Sequence, residues 1–413
     1  MAKKINVLSL FDGMSCGQIA LKELGIIPNI YYASEIDKHA IAQTQLNFPN
    51  TIQLGSVVDV DVTKLEHIDL ILGGSPCQSF SFAGKRKGIS TKREIEITRI
   101  EQYLELKEQG FEFEGQSYLF WEYMRILTDI RKYNPDVKFL LENVEMGAKW
   151  ERVLSQAIGV YGVHINSALV SAQSRKRIYW TNIRTKQVGL FGELHSDIPQ
   201  PNDRGIVLKD ILENEVDNKY YLSEKMIKTL SIRPDGYQNL KPKELGEKAS
   251  TIVASMHKMH SLDNYIIQLN QSIESGGKQP YQQNRVYNSN GITPALCANE
   301  ADLIIKIPEA TTKGYVEIKP GECFDFENPT SKTRRGRRMD IKSNTLMAQN
   351  MSFMTFEGEG SIRRLTPTEC ARLQTIPEWY IWRCSDTQAY RMLGNGWTIE
   401  IIKHILSYLW QRK

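Results

Sequence analysis

The chain has 413 residues, 41% hydrophobic and 24% charged, with a formal net charge of +4 and a pI near 8.5, a balance only mildly suggestive of a polyanionic partner. That length accommodates two domains with a core that needs no covalent staples; no apolar run reaches about 18 residues and MAKKINVLSLF lacks the features of a secretory signal, so neither a membrane span nor export is expected. Six cysteines (Cys16, Cys77, Cys297, Cys323, Cys370, Cys384) form no CxxC pair and no metal-ligand spacing, which predicts reduced thiols, no metal site and a cytoplasmic protein.

Up to about residue 184, short β-rich runs alternate with helix-period segments, the mark of βαβ units and a parallel sheet. INVLSLF predicts a first strand, GQIALKELG a helix closed by Gly25, and IYYASEI a second strand; HIDLILGG and VKFLLENV are later strands of the same buried type. The turn FDGMSCG follows the first strand, at the carboxyl end of the sheet where such folds bind nucleosides, but it is not the GxGxxG fingerprint and implies no pyrophosphate. About 20 residues on, Glu35 ends the second strand, where an acid accepts hydrogen bonds from ribose hydroxyls; a plain surface acid is the alternative. A nucleoside ligand without a diphosphate points toward S-adenosylmethionine.

The stretch GGSPCQSFS ends an apolar strand on two glycines and then presents Cys77 behind Pro76. A structural cysteine is buried and inert, whereas a nucleophilic one is reachable and held at a fixed angle. Glu142, at the end of FLLENV, would emerge on the same side of a parallel sheet. A thiolate adding to carbon-6 of a pyrimidine needs charge neutralised on the ring, and a carboxylic acid at nitrogen-3 provides it. In SAQSRKRIYW, strand alternation would put Gln173, Arg175 and Arg177 on one face and turn Ser174 and Lys176 away, the alternative being an edge strand with solvated arginines. Such guanidiniums could hold a base carbonyl and a phosphate, and would favour thiolate over thiol.

From about 185 to 360 the texture changes to polar loops rich in Asn, Gln, Ser and Gly, a separate module with a faint repetition in ASTIVA, TPALCA and SNTLMA. The clusters GKRKG (84 to 88) and TRRGRRMD (333 to 340) are either nucleic-acid contacts or solvated surface. After 361, SIRRLTPTECARLQTIP carries a helix start, and GNGWTIEIIKHILSYLW reads as a turn and an amphipathic helix returning to the first domain.

In this order, FDGMSCG, GGSPCQSFS, ENV, QSRKR, RRLTPTECARLQTIP and GNGW resemble the motifs of the DNA cytosine-5 methyltransferase family, bacterial and phage type, over essentially the whole chain. The resemblance implies an α/β fold: a Rossmann-like methyltransferase domain of mostly parallel sheet with helices on both faces (1–184), a smaller irregular, mainly β target-recognition domain (185–360), and a C-terminal segment (361–413). It implies methyl transfer from S-adenosylmethionine to carbon-5 of a flipped-out cytosine in a specific double-stranded DNA sequence. Cys77 would be the nucleophile, Glu142 the group at nitrogen-3, Arg177 the contact to the base carbonyl, and Arg175 a support for thiolate and phosphate. Phe11, Asp12, Gly13, Glu35, Ile36, Pro76, Leu119 and Asn395 would surround the cofactor, with Ser56 or Asp59 taking the adenine contact. DNA would be met by Gln78, Ser81, Lys85, Arg86, Gln173, Thr251, Arg334, Arg335, Arg337, Arg338 and Thr345. A monomer is expected; whether a restriction endonuclease accompanies it in the same system stays open.

The chain also departs from the bacterial pattern. FDGMSCG replaces FxGxGG and Trp follows GNG in place of Ser-Val, both closer to the animal de novo enzymes; Gly55-Ser56 stands where Gly-Asp is usual. The segment after Cys77 is enlarged. A tRNA methyltransferase and a non-catalytic DNA-binding paralogue are the alternative readings.

Overall fold

The computed structural model describes residues 4–76, 89–220 and 365–409, together with the backbone of short strands at 249–250, 265–269, 305–308, 315–318, 323–325, 353–355 and 360–364. Seven strands form one sheet: β1 (Asn6–Leu10), β2 (Ile30–Ser34), β3 (Ile52–Gln53), β4 (Leu70–Gly74), β5 (Lys138–Val144), β6 (Val163–Asn166) and β8 (Lys176–Thr181), with β7 (Gln173–Ser174) standing just outside it. The order is β3-β2-β1-β4-β5-β8-β6. Neighbours from β3 to β5 are parallel, and β8 runs antiparallel between β5 and β6. The sheet is therefore mixed but mostly parallel, and the fold is α/β. Chain order reverses between β1 and β4, so a crevice opens there at the carboxyl ends of the strands.

Near-continuous apolar runs suit strands covered on both faces, and alternation divides the core in two. Val7, Leu70, Leu72, Leu140 and Tyr179 face one layer, with α1 (Cys16–Glu23) and α2 (Lys38–Asn47). Leu8, Leu10, Ile71, Phe139 and Leu141 face the other, with α3 (Ile100–Glu108), α4 (Leu119–Tyr133) and α5 (Ala148–Ile158). The first layer continues through Ile198, Leu208, Ile211 and Tyr220, beyond the hairpin β9 (Thr185–Val188) and β10 (Glu193–Ser196). It is completed by α6 (Pro367–Leu373), α7 (Asp386–Asn395) and α8 (Ile399–Leu406).

The Thr366 hydroxyl accepts from the Glu369 N–H while the Glu369 carboxylate accepts from the Thr366 N–H, the capping box that TPTE predicts. In α8, Ile399, Ile401, Ile402, Ile405 and Leu406 are all fully buried against this layer. Their burial contributes on the order of 10 kcal/mol as an upper bound. The turn expected at GNGW is shorter than the sequence suggests: Gly394 and Asn395 finish α7, and only Gly396 to Thr398 link it to α8.

Two sequence readings change. The run from Gln173 to Arg177 is not one alternating strand, because it breaks at Arg175 between β7 and β8, and Ser174 is buried, donating to Asn166. Nor is β8 an edge strand with solvated arginines. It lies inside the sheet, and Arg175 and Arg177 are each 4% exposed. Between 221 and 364 the described residues lie in short strand pairs: 265–269 with 360–364, 305–308 with 315–318, 323–325 with 353–355, and 249–250 beside β7. Among the described residues, no helix is long and apolar enough to cross a membrane.

Candidate active site

Several of the residues singled out in the sequence meet at the carboxyl ends of the strands. The turn after β1 holds three residues at positive φ, Phe11 (58°), Gly13 (58°) and Ser15 (66°). Only the glycine adopts that conformation without strain, and a bulky residue there is kept by its surroundings, as at binding sites. Part of the restraint is Glu35, whose carboxylate accepts from the Gly13 N–H (2.8 Å), the Ile36 N–H (2.8 Å) and the Asp37 N–H (2.9 Å). Ile36 is 73% exposed beside it, an apolar side chain open to the crevice end of β2.

Asp12 is buried under this turn. Its Oδ1 accepts from the Tyr31 hydroxyl (2.8 Å), while Oδ2 has no hydrogen-bond partner. Burial pushes its pKa up to about 6, against the pull of the nearby Ser9, Tyr31 and Ser15 hydroxyls. An unpartnered buried carboxylate oxygen fits a cationic ligand. Ser56 caps the short turn after β3, accepting from the Val58 N–H (3.3 Å), and Asp59 is exposed in that turn. Leu119 is the first residue of α4 and Asn395, exposed, the last of α7.

The two glycines ending β4 are explained by what lies on them. A Cβ on Gly73 would come within 2.7 Å of the Tyr123 ring; one on Gly74 would lie 2.9 Å from Trp397 Nε1 and 3.3 Å from Glu142 Oε2. Gly74 pairs in register with Glu142. Beyond it, the Asn143 amide donates to the Ser75 carbonyl (3.3 Å) and hydroxyl (3.0 Å), fixing the chain as it leaves for Pro76. Asn143 was missed by sequence reasoning, although it sits beside Glu142 in ENV.

Glu142, 8% exposed, takes the Arg177 Nε on Oε1 (2.9 Å) and the Trp397 Nε1 on Oε2 (3.2 Å). Tyr179 on the same strand as Arg177 is held far above the usual phenol range by burial first and by the Glu142 charge second. Arg175 goes elsewhere: its guanidinium donates to the Gly394 carbonyl (3.3 Å) and the Gly396 carbonyl (2.9 Å), tying the turn after α7 to the sheet. Gln173 is fully buried with neither amide atom partnered, opposite Ala249 in the strand pair with 249–250. The Cys16 thiol, which accepts from the Trp397 N–H (3.4 Å), is pushed up to about 12 by burial and is inert at neutral pH. Trp397 is the contact whose partner could not be foreseen; the signal was a tryptophan after GNG.

Cys77, Gln78, Ser81, Lys85 and Arg86 lie outside the described residues, as do Thr251, Arg334, Arg335, Arg337, Arg338 and Thr345. The enlarged segment is described from residue 89. It folds back through bridges Ser90–Glu96 and Thr91–Phe113, and α3 docks on α4 around the fully buried Glu122. That carboxylate accepts from the Tyr103 hydroxyl (2.5 Å), Lys107 Nζ (2.5 Å) and Arg125 Nε (2.8 Å).

Relatives extend along the full chain. The orphan methyltransferase M.SPRI of Bacillus phage SPR is 25% identical over 98% of this chain and 97% of its own. The type II methyltransferase M.HgiCI of Herpetosiphon aurantiacus is 27% identical over 98% and 97%. In fold the chain is similar to a Spodoptera frugiperda DNMT2 variant, with a TM-score of 0.52 at 17% identity, covering 99% of this chain and 100% of that one. The sequence profile described as C-5 cytosine-specific DNA methylase matches residues 5–410, and the chain belongs to that family.

Proposed function

We propose that this protein transfers a methyl group from S-adenosylmethionine to carbon-5 of a cytosine swung out of a specific double-stranded DNA sequence, through a covalent adduct of Cys77. The observation that carries this reading is the register of Gly74 with Glu142, reinforced by the Asn143 amide on Ser75. Cys77 follows Ser75 by two residues, which limits their Cα separation to about 7 Å. That reach supports a thiol acting beside the Glu142–Arg177 pair.

The cofactor would be held by the strained turn Phe11 to Gly13, by Glu35, Ile36 and Pro76, by Leu119 and Asn395, and by Ser56 or Asp59 at its adenine. Asp12 Oδ2 is the unpartnered acceptor suited to its positive charge. When bound it supplies an electrophilic methyl group. The protein's own groups prepare the base. A stacked cytosine shows neither ring face to a thiol, so it must leave the duplex at a cost of a few kcal/mol. Arg177 then holds the carbonyl at carbon-2 and Glu142 places a proton at nitrogen-3, which draws electrons from the ring as the Cys77 thiolate bonds to carbon-6. The electron pair released onto carbon-5 makes that carbon the nucleophile for the methyl group. Return of the nitrogen-3 proton to Glu142, loss of the carbon-5 proton to a base and expulsion of the thiolate restore the aromatic ring and the enzyme.

The family and its phage and type II relatives support DNA as the substrate. Sequence readout would fall to the stretch 185–360, with Arg334, Arg335, Arg337 and Arg338 on bases or phosphates. Bisulfite sequencing of DNA from a host expressing the protein should reveal methylated cytosines in one sequence context, and Cys77→Ala should abolish them. A duplex carrying 5-fluorocytosine should trap a covalent adduct, since fluorine cannot leave as a proton does. Methylation confined to transfer RNA, or full activity of Cys77→Ala, would overturn the proposal.

A further inference from the structure

We infer that the Trp397 indole N–H is a positioning group for Glu142, fixing the orientation of the carboxylate that serves nitrogen-3. This rests on the reading of Glu142 given above. Three observations carry it. Trp397 Nε1 donates to Glu142 Oε2 at 3.2 Å, while Arg177 Nε occupies Oε1 at 2.9 Å, so each oxygen has its own donor and the plane of the carboxylate is defined from two sides. The ring lies on Gly74, where a Cβ would stand 2.9 Å from Nε1, so the strand end is shaped to admit it. Finally, Trp397 is 8% exposed, so its ring is packed in place, and its backbone N–H donates to Cys16 Sγ at 3.4 Å, which anchors the main chain that carries it.

An N–H donor stabilises the charged carboxylate over the neutral acid. Arg177 does so permanently; the indole is the neutral, adjustable partner. When a cytosine arrives and Glu142 takes up its proton, the acid retains an acceptor lone pair for the indole, so the rotamer is kept while the charge changes. Among the described residues, Arg177 on β8 pairs with this carboxylate and Tyr179 on the same strand feels its charge, whereas Arg175 donates to the Gly394 and Gly396 carbonyls. Cys16 and Asp12 lie beyond the indole.

The test compares kcat and KM of parent, Trp397→Phe, Gly74→Ala and Glu142→Gln on one methylatable duplex. Trp397→Phe keeps an aromatic ring and removes the donor; Gly74→Ala keeps the indole and displaces it. Each is expected to lower kcat about tenfold with KM for S-adenosylmethionine little changed, because the carboxylate is bound to no second donor that fixes its plane. In single-turnover assays Trp397→Phe added to Glu142→Gln should cost nothing further, since the partner is already altered. An unchanged kcat in Trp397→Phe, a loss expressed in KM alone, or an equal loss from Trp397→Phe with and without Glu142→Gln, would overturn the role of the indole. Undiminished activity of Glu142→Gln would instead remove the reading beneath it. Should Trp397→Phe fail to fold, Trp397→Leu, which also lacks the donor, takes its place in the same comparison, because a Cβ at position 74 presses on Glu142 Oε2 as well as on the indole.

Discussion

Asp12 shows how one carboxylate can be costly to the free protein and useful to the complex. Its pKa is raised from 3.8 to about 6, so the folded state binds a proton more tightly than the unfolded one. Stability from this group is therefore present below about pH 4 and lost as pH rises through 6, a loss of roughly 3 kcal/mol. Calorimetry should find the ligand-free Asp12→Asn variant melting higher than the parent at pH 7. A cation at Oδ2 favours the ionised form, so titration calorimetry should show parent affinity for S-adenosylmethionine falling about tenfold per pH unit below 6, with a weaker, flatter dependence in Asp12→Asn. Much at this scale was legible in advance: Glu35, Glu142 and Arg177 were nominated from strand ends and chemistry. What each one touches was not. Arg175 and Arg177 look equivalent in SRKR, yet one reaches carbonyls of the last turn and the other Glu142. That divergence comes from the strand break at Arg175, which no period in the sequence announces.

Among elements, the enlarged segment after Cys77 is the part whose structure composition did not foretell. The sequence marks it only as enlarged, but Ile89, Ile97 and Tyr103 are buried and Tyr118 stacks with both Tyr103 and Phe113, so α3 is a docked helix. The anchor is Glu122. Burial opposes its ionisation, but the Lys107, Tyr103 and Arg125 donors prevail and hold its pKa below the usual value. The stability it confers is thus present at neutral pH and lost on acidification below the normal carboxylate range. Glu122→Gln leaves cations short of a partner in a buried setting and should destabilise the protein by about 3 kcal/mol. Limited proteolysis or hydrogen exchange should show the 89–117 region opening first, while the β1 to β5 amides keep their protection. The strands and α1 were readable because apolar runs and helical period are local; the docking of α3 depends on a partner helix and was not.

At the scale of the whole molecule, the site is assembled from both ends of the chain. The first 144 residues supply the cofactor turn, the strand leading to Cys77 and Glu142, whereas Trp397 and the carbonyls that hold Arg175 come from the last helices. Removing residues 365–413 should therefore give an insoluble or molten product, not a weakly active domain, visible as loss of a cooperative melting transition. The α1 face occupied by α8 would be left bare.

The same arrangement bears on synthesis. Residues 16–23 emerge early, but the isoleucines that cover them are made last. At 5–20 residues per second the interval is on the order of 20–80 s. Over that interval the apolar face of α1 that α8 covers stays without its partner helix, and Glu142 without the Trp397 indole.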